Sequence, residues 1–214
     1  AGTIVLYNGG KIDASALVVL NAQNIITAST ATGTPGVDMM ALEASIYSNV
    51  NGTVGGDALV NVQAVQDITA PGMTLFWIAN GNYQDLGPGT ITGDAEVDVT
   101  ATNISTGDML VQILNYGGAT IGSFAEIDLN ATNLSVNGTL DARIDNTSGT
   151  IHDDASLIFN TAGALTSTGD QFYQIINADG GTIGGSATLD VTAKNLSSGR
   201  SLFVAILNNT NDGG

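Results

Sequence analysis

The sequence predicts an all-β fold: a single-stranded, right-handed parallel β-helix (β-solenoid) of about six to seven coils of about 30 residues each. Three observations predict it. A motif returns at a fixed long period, apolar and polar residues alternate within each copy, and helix-forming signals are scarce. One such unit cannot bury its apolar face alone, whereas stacked units can, each strand pairing with its equivalent about 4.8 Å away.

The motif is Gly-Thr-Ile, three spacer residues, Ala, and then alternating apolar positions that end in Ala-x-Asn-Leu. Its clearest copy is Gly89-Thr90-Ile91 followed by Ala95, Val97, Val99, Ala101, Asn103 and Ile104. It returns from Thr120-Ile121 to Asn133-Leu134 and from Thr182-Ile183 to Asn195-Leu196, with a looser copy from Ile151 and earlier ones from Ile12 and Val54. The anchors at 12, 54, 91, 121, 151 and 183 are separated by 42, 37, 30, 30 and 32 residues. Insertions at about 27–38, around Thr34-Pro35-Gly36, and at about 81–88 account for the two long steps.

The alternation over 95–101, 125–131 and 187–193 has the period of a strand. Thr, Asn, Val, Ile and Gly favour strands and turns over helix. Met39–Tyr47 follows Asp38 and could start a helix, but Met40, Leu42, Ala44 and Ile46 alternate in phase with the repeat, so strand is expected there. Stacking would place Ile12, Val54, Ile91, Ile121, Ile151 and Ile183 in one interior ladder. Ala16, Ala58, Ala95, Ala125, Ala155 and Ala187 would line a cramped corner. Asn103, Asn133 and Asn195 would form a turn ladder, since Asn tolerates left-handed backbone and its amide can bond from coil to coil.

Each unit closes on an apolar segment ending in Asn. Asn115, Asn146, Asn177 and Asn208 lie 31 residues apart and form a second expected ladder, with Asn8 and Asn80 closing similar segments upstream. In these segments both faces are apolar. With Ile4, Ile78, Ile113, Ile144, Ile175 and Ile206 inward, the outward stripe holds Tyr7, Leu75, Trp77, Leu110, Leu114, Phe172, Ile176, Phe203 and Leu207, interrupted by Arg143 and Asp145. A strand apolar on both faces is covered by something. The two readings are the insertions, or residues outside the chain, folding over it, and a lateral interface with another subunit.

Composition removes several function classes. Four Lys and Arg against 20 Asp and Glu, a net charge of −16, argue against nucleic acid and anionic membranes. There is no cysteine, hence no disulfide framework, thiolate zinc site or cysteine nucleophile. No apolar run approaches the roughly 18 residues of a membrane span. A mean hydropathy of +0.22 with 11% charged residues opposes disorder.

Candidate chemistry is sparse, and no catalytic residue or cofactor is expected. His152-Asp153-Asp154 reads as an exposed turn at the phase of Thr92, Gly122 and Gly184, not as a His/Asp site. Lys11, Arg143, Lys194 and Arg200 fall in different units and phases. Glu96 with Glu126, and Asp98 with Asp128, stack outward as weak cation candidates; the alternative is a solvated acidic face without metal. Outward Thr100, Asn130 and Thr192 mix too many residue types for an ice-binding array. Asn-x-Ser/Thr triplets at Asn103, Asn133, Asn146 and Asn195 coincide with repeat turns.

Units such as Gly-Gly-Thr-Ile-Gly-Gly-Ser-Ala-Thr-Leu-Asp-Val-Thr-Ala-Lys-Asn-Leu (180–196) resemble repeats of filamentous haemagglutinin-type adhesins, the β-helical shafts of bacterial two-partner-secreted proteins and similar autotransporter passengers. That resemblance implies a secreted rod at the bacterial surface and carries over no catalytic residue. The expected function is therefore a non-enzymatic structural or adhesive module. Its partners would be adjacent coils of a longer chain, like subunits stacked end to end, or host and cell-surface glycans or proteins. Neither end shows a cap, so one domain spanning 1–214, open at both ends and part of a longer rod, is expected. The alternatives are a self-assembling extracellular filament or surface-layer subunit, and a carbohydrate-active β-helix enzyme.

Overall fold

A computed structural model describes residues 2–32, 40–48, 51–81 and 87–209. The first coil holds β1 (Gly2–Asn8), β2 (Lys11–Ile12), β3 (Ala16–Ala22) and β4 (Ile25–Ile26). The second holds β5 (Leu42–Ser48), β6 (Thr53–Val54), β7 (Ala58–Ala64) and β8 (Asp67–Ala70). From the third coil onward the pattern is regular: β9 (Thr74–Gly81), β10 (Thr90–Ile91) and β11 (Ala95–Thr106); then β12 (Met109–Tyr116), β13 (Thr120–Ile121) and β14 (Ala125–Val136). The fifth coil is β15 (Leu140–Thr147), β16 (Thr150–Ile151) and β17 (Ala155–Ser167), and the sixth is β18 (Gln171–Ala178), β19 (Thr182–Ile183) and β20 (Ala187–Ser198). A last strand, β21 (Leu202–Asn209), begins a seventh. The described residues contain no helix.

Three parallel sheets result, each made of equivalent strands from successive coils. The first has seven strands, β1-β5-β9-β12-β15-β18-β21. A narrow sheet has six two-residue strands, β2-β6-β10-β13-β16-β19. The broad third sheet runs β3-β7-β11-β14-β17-β20, with β4 and β8 continuing its far half in the first coils. This is a parallel β-solenoid, as the period predicts. Of the segment 39–47, residues 42–47 are strand, since β5 pairs in register between β1 and β9, while Met39 lies outside the described residues.

The registers reproduce the expected ladders. Ile12, Val54, Ile91, Ile121, Ile151 and Ile183 stand in one row. The alanines from Ala16 to Ala187 form another. Both belong to one continuous interior cluster whose central members are fully buried. Burying each aliphatic side chain stabilises by about 1.5–3 kcal/mol, so identical residues in successive coils give each coil a similar share of the core.

Ile4 faces the interior beside Ala44, two residues before Leu6, which takes the row of Ile46 and Ile78. One expectation needs correction. The outer Asn ladder does not reach Asn195. β17 carries one extra residue, the register slips between Thr161 and Ala164, and Asn195 pairs with Ala164. Of the insertions expected at 27–38 and 81–88, residues 33–38 and 82–86 lie outside the described residues. At the edge of the first, Thr32 bridges Met40 in antiparallel fashion.

Candidate functional site

Three surfaces have enough structure to be weighed: the Asn turns, the outer face of the broad sheet, and the outer face of the first sheet.

The Asn turns are structural. Asn80 Nδ2 donates to Asn115 Oδ1 at 2.8 Å, Asn115 to Asn146 at 2.7 Å, Asn146 to Asn177 at 2.8 Å and Asn177 to Asn208 at 3.0 Å. The second proton of the first three amides goes to a backbone carbonyl one coil on, from Asn80 to Thr120 O, Asn115 to Thr150 O and Asn146 to Thr182 O, all at 2.9–3.0 Å. Asn80, Asn115 and Asn146 are buried. Ser48 interrupts the row, and Asn80 Oδ1 is consequently buried without a partner. Space beside the ladder is short: a Cβ on Gly149 would stand 2.3 Å from Asn115 O. The outer Asn row is exposed. There Asn133 donates to Asn103 at 2.9 Å and Asn103 to Asp67 at 2.8 Å, and the row ends where Asn133 Oδ1 accepts from Ala164 N–H.

On the broad sheet, Glu96 stands beside Glu126 and Asp98 beside Asp128, all half-buried. Leu59 and Asn61 flank these rows on one side, Ser156 and Ile158 on the other. Partial burial, then repulsion from Glu126 and Asp98, pushes the Glu96 carboxyl above its ordinary range. Burial followed by Asp128 does the same to Glu126, and burial with Asp128 raises Asp98. Asp98 and Asp128 accept from Asn61 and Asn130 at 3.3 and 2.8 Å. Among the described residues no three potential ligands converge on a point that would hold a metal ion. Beside this patch runs a groove of about 400 Å³, floored by Ala101 and Ala131 and walled by Thr100, Asn130 and Asn160 on one side and Thr102 and Thr132 on the other. His152 lies exposed in its turn, where Asp154 Oδ1 accepts from Ser186 N–H at 2.6 Å.

The outer face of the first sheet divides into unlike regions. Leu75, Trp77 and Leu114 are buried in a second apolar cluster with Met40, Tyr47 and Ala79, and Leu110 packs against it. These three are therefore not free to form the candidate lateral interface. Tyr7 stacks on Tyr47 with ring centroids 4.7 Å apart, and Tyr47 lies 5.8 Å from Trp77. Phe172 and Ile176 are half-buried, and only Tyr7, Phe203 and Leu207 remain exposed.

Between the covered and open regions lies a polar island that the sequence reading treats only as an interruption. Register places Gln112 beside Arg143 and Leu114 beside Asp145. Arg143 and Gln112 both bond Asp141 Oδ2, at 2.5 and 2.9 Å. Tyr116 and Thr147 donate to the two oxygens of Asp145 at 2.8 and 2.6 Å. Burial pushes the Asp141 carboxyl up, against the pull of Arg143, and burial with Asp145 nearby pushes the Tyr116 hydroxyl up. The available signal was parity: Asp141, Arg143 and Asp145 alternate and so share the outward face.

The geometry defines a parallel β-solenoid repeat protein. Comparison with known proteins finds no matching family model, no matching curated protein and no matching solved structure.

Proposed function

We propose that the chain is a rigid, non-catalytic rod module, structural or adhesive, of a secreted bacterial surface protein. The observation that carries the reading is the unbroken hydrogen-bonded row from Asn80 to Asn208, which ties five successive coils through the turn. Such a row resists sliding of one coil over the next, since a one-coil slip would strand buried amides. An adhesive role would use the exposed polar groove beside Ala101 and Ala131, whose Thr and Asn walls suit the hydroxyls of a glycan.

Acid and base adjoin in the Asp141–Arg143–Asp145 island, the arrangement a carbohydrate-active enzyme needs. Both Asp145 oxygens and Asp141 Oδ2 accept bonds from within the island, while Asp141 Oδ1 and Arg143 Nε are buried without a partner; with Asp145 6% exposed, the island reads as a structural clasp.

Pulling single molecules from both ends tests the rod. Stepwise rupture of successive coils at high force is expected, and smooth extension at low force contradicts it. Incubation with acidic polysaccharides is expected to yield no new chain ends; turnover lost in Asp145→Asn would move the reading to an enzyme.

A further inference from the structure

Glycine follows asparagine at four described places: Asn8-Gly9, Asn51-Gly52, Asn80-Gly81 and Asn137-Gly138. Such a pair is labile, because glycine has no side chain to shield its backbone nitrogen from the neighbouring side-chain amide. The fold treats the four unequally. We propose that Asn137 is a self-modification site, which the folded chain converts to aspartate and isoaspartate, loosening the joint between the fourth and fifth coils. The Gly138 nitrogen attacks Asn137 Cγ, Nδ2 leaves as ammonia with the Gly138 amide proton, and a cyclic imide forms. Water opens the imide at either carbonyl. The sum is one water consumed and one ammonia released, with no change of oxidation state.

Three observations support it. First, the other three pairs are shielded. Asn8 is buried and its amide donates to Thr53 O at 3.0 Å. Asn80 is buried, donates to Asn115 and to Thr120 O, and is followed by a buried glycine. Asn51 is exposed, but Gly52 behind it is buried and its carbonyl accepts from Thr90 N–H at 2.9 Å. Second, Asn137 is open. It lies exposed in the turn from β14 to β15, and among the described residues neither its side-chain amide nor the Gly138 N–H meets a hydrogen-bond partner. The turn is nevertheless held on both sides: Asn137 N–H donates to Thr106 O, and Gly138 O accepts from Gly169 N–H, both at 2.8 Å. Third, packing fixes the glycine. A Cβ on Gly138 would collide with Asp108 Oδ1, which accepts from Thr139 N–H at 2.7 Å. These contacts also set the consequence. Isoaspartate routes the main chain through the side-chain methylene and lengthens the turn by one atom, which displaces Gly138 and Thr139 from Gly169 and Asp108. Either product adds a carboxylate to the turn that Asp108 packs against, and like charges repel.

In the test the native chain is aged in mildly alkaline heavy-oxygen water, digested in ordinary water and read by mass spectrometry, with a denaturant-unfolded chain alongside. The heavy oxygen marks only residues hydrolysed before digestion. In the native chain Asn137 is expected to take up label more than about tenfold faster than Asn8, Asn51 or Asn80, since those react only when their coils open. The unfolded chain is expected to label all four alike. Isoaspartyl methyltransferase should methylate the aged native chain and leave an aged Asn137→Gln chain unmarked. The aged chain should melt below the fresh one, with Asn137→Asp, which carries the charge without the longer backbone, between the two. An Asn137 that keeps its amide as long as Asn80 does, or a native pattern equal to the unfolded one, overturns the site. An aged chain that melts as the fresh one does overturns the loosening.

Discussion

The two asparagine rows have the same residue type and nearly the same spacing, yet only one is a structural spine. In the inner row the amides of Asn80, Asn115 and Asn146 are buried and donate twice, to the next Asn and to a Thr carbonyl. In the outer row the amides are exposed, donate once between coils, and stop at the extra residue of β17. Burial makes the difference. Water can replace a lost bond in the outer row, whereas a lost inner partner leaves buried donors and acceptors unmet.

Four substitutions probe that contrast, from the largest effect to the smallest. Trp77→Asp places a charge in the second apolar cluster and should cost about 4 kcal/mol or prevent folding; unchanged melting would show that the cluster is not closed. Asn115→Ala leaves Asn80 Nδ2, Asn146 Oδ1 and Thr150 O short of a partner and should cost about 3 kcal/mol by chemical denaturation. Ile121→Val removes one methylene from the interior ladder and should cost about 1 kcal/mol. Asn133→Ala, in the exposed row, should cost under about 1 kcal/mol. A loss as large as that of Asn115→Ala would break the comparison.

The acidic rows supply a pH test. The carboxyls of Glu96, Asp98 and Glu126 are raised in the folded state, so folding favours their protonated forms. Their contribution is present at low pH and is lost as pH rises through the folded values. Melting temperature should therefore fall from about pH 4.5 to pH 7. Glu96→Gln with Glu126→Gln should flatten that fall; an identical pH profile in the double variant would mean that the paired glutamates are not its source.

The ladders were legible because stacking repeats the same residue at the same place. Ile91, Ile121 and Ile151, or Asn115, Asn146 and Asn177, report a shared environment through their spacing alone. Two things were not legible. The slip in β17 depends on one extra residue near Gly163, whose Cβ would approach Asn133 Oδ1 to 2.5 Å, and a looser repeat there looks the same with or without it. The burial of Leu75, Trp77 and Leu114 depends on what lies over the sheet, which period-two alternation cannot encode. Of the candidate sites, the Asn rows were readable from spacing. The Asp141–Arg143–Asp145 island required the register, because Gln112 and Tyr116 come from the coil before.

The most direct test of the central claim is hydrogen exchange of the Asn side-chain amides by nuclear magnetic resonance. The account predicts that the amide protons of Asn80, Asn115 and Asn146 exchange only on opening of the coils, while those of Asn103 and Asn133 exchange rapidly. Equal, rapid exchange in both rows would contradict a buried asparagine spine.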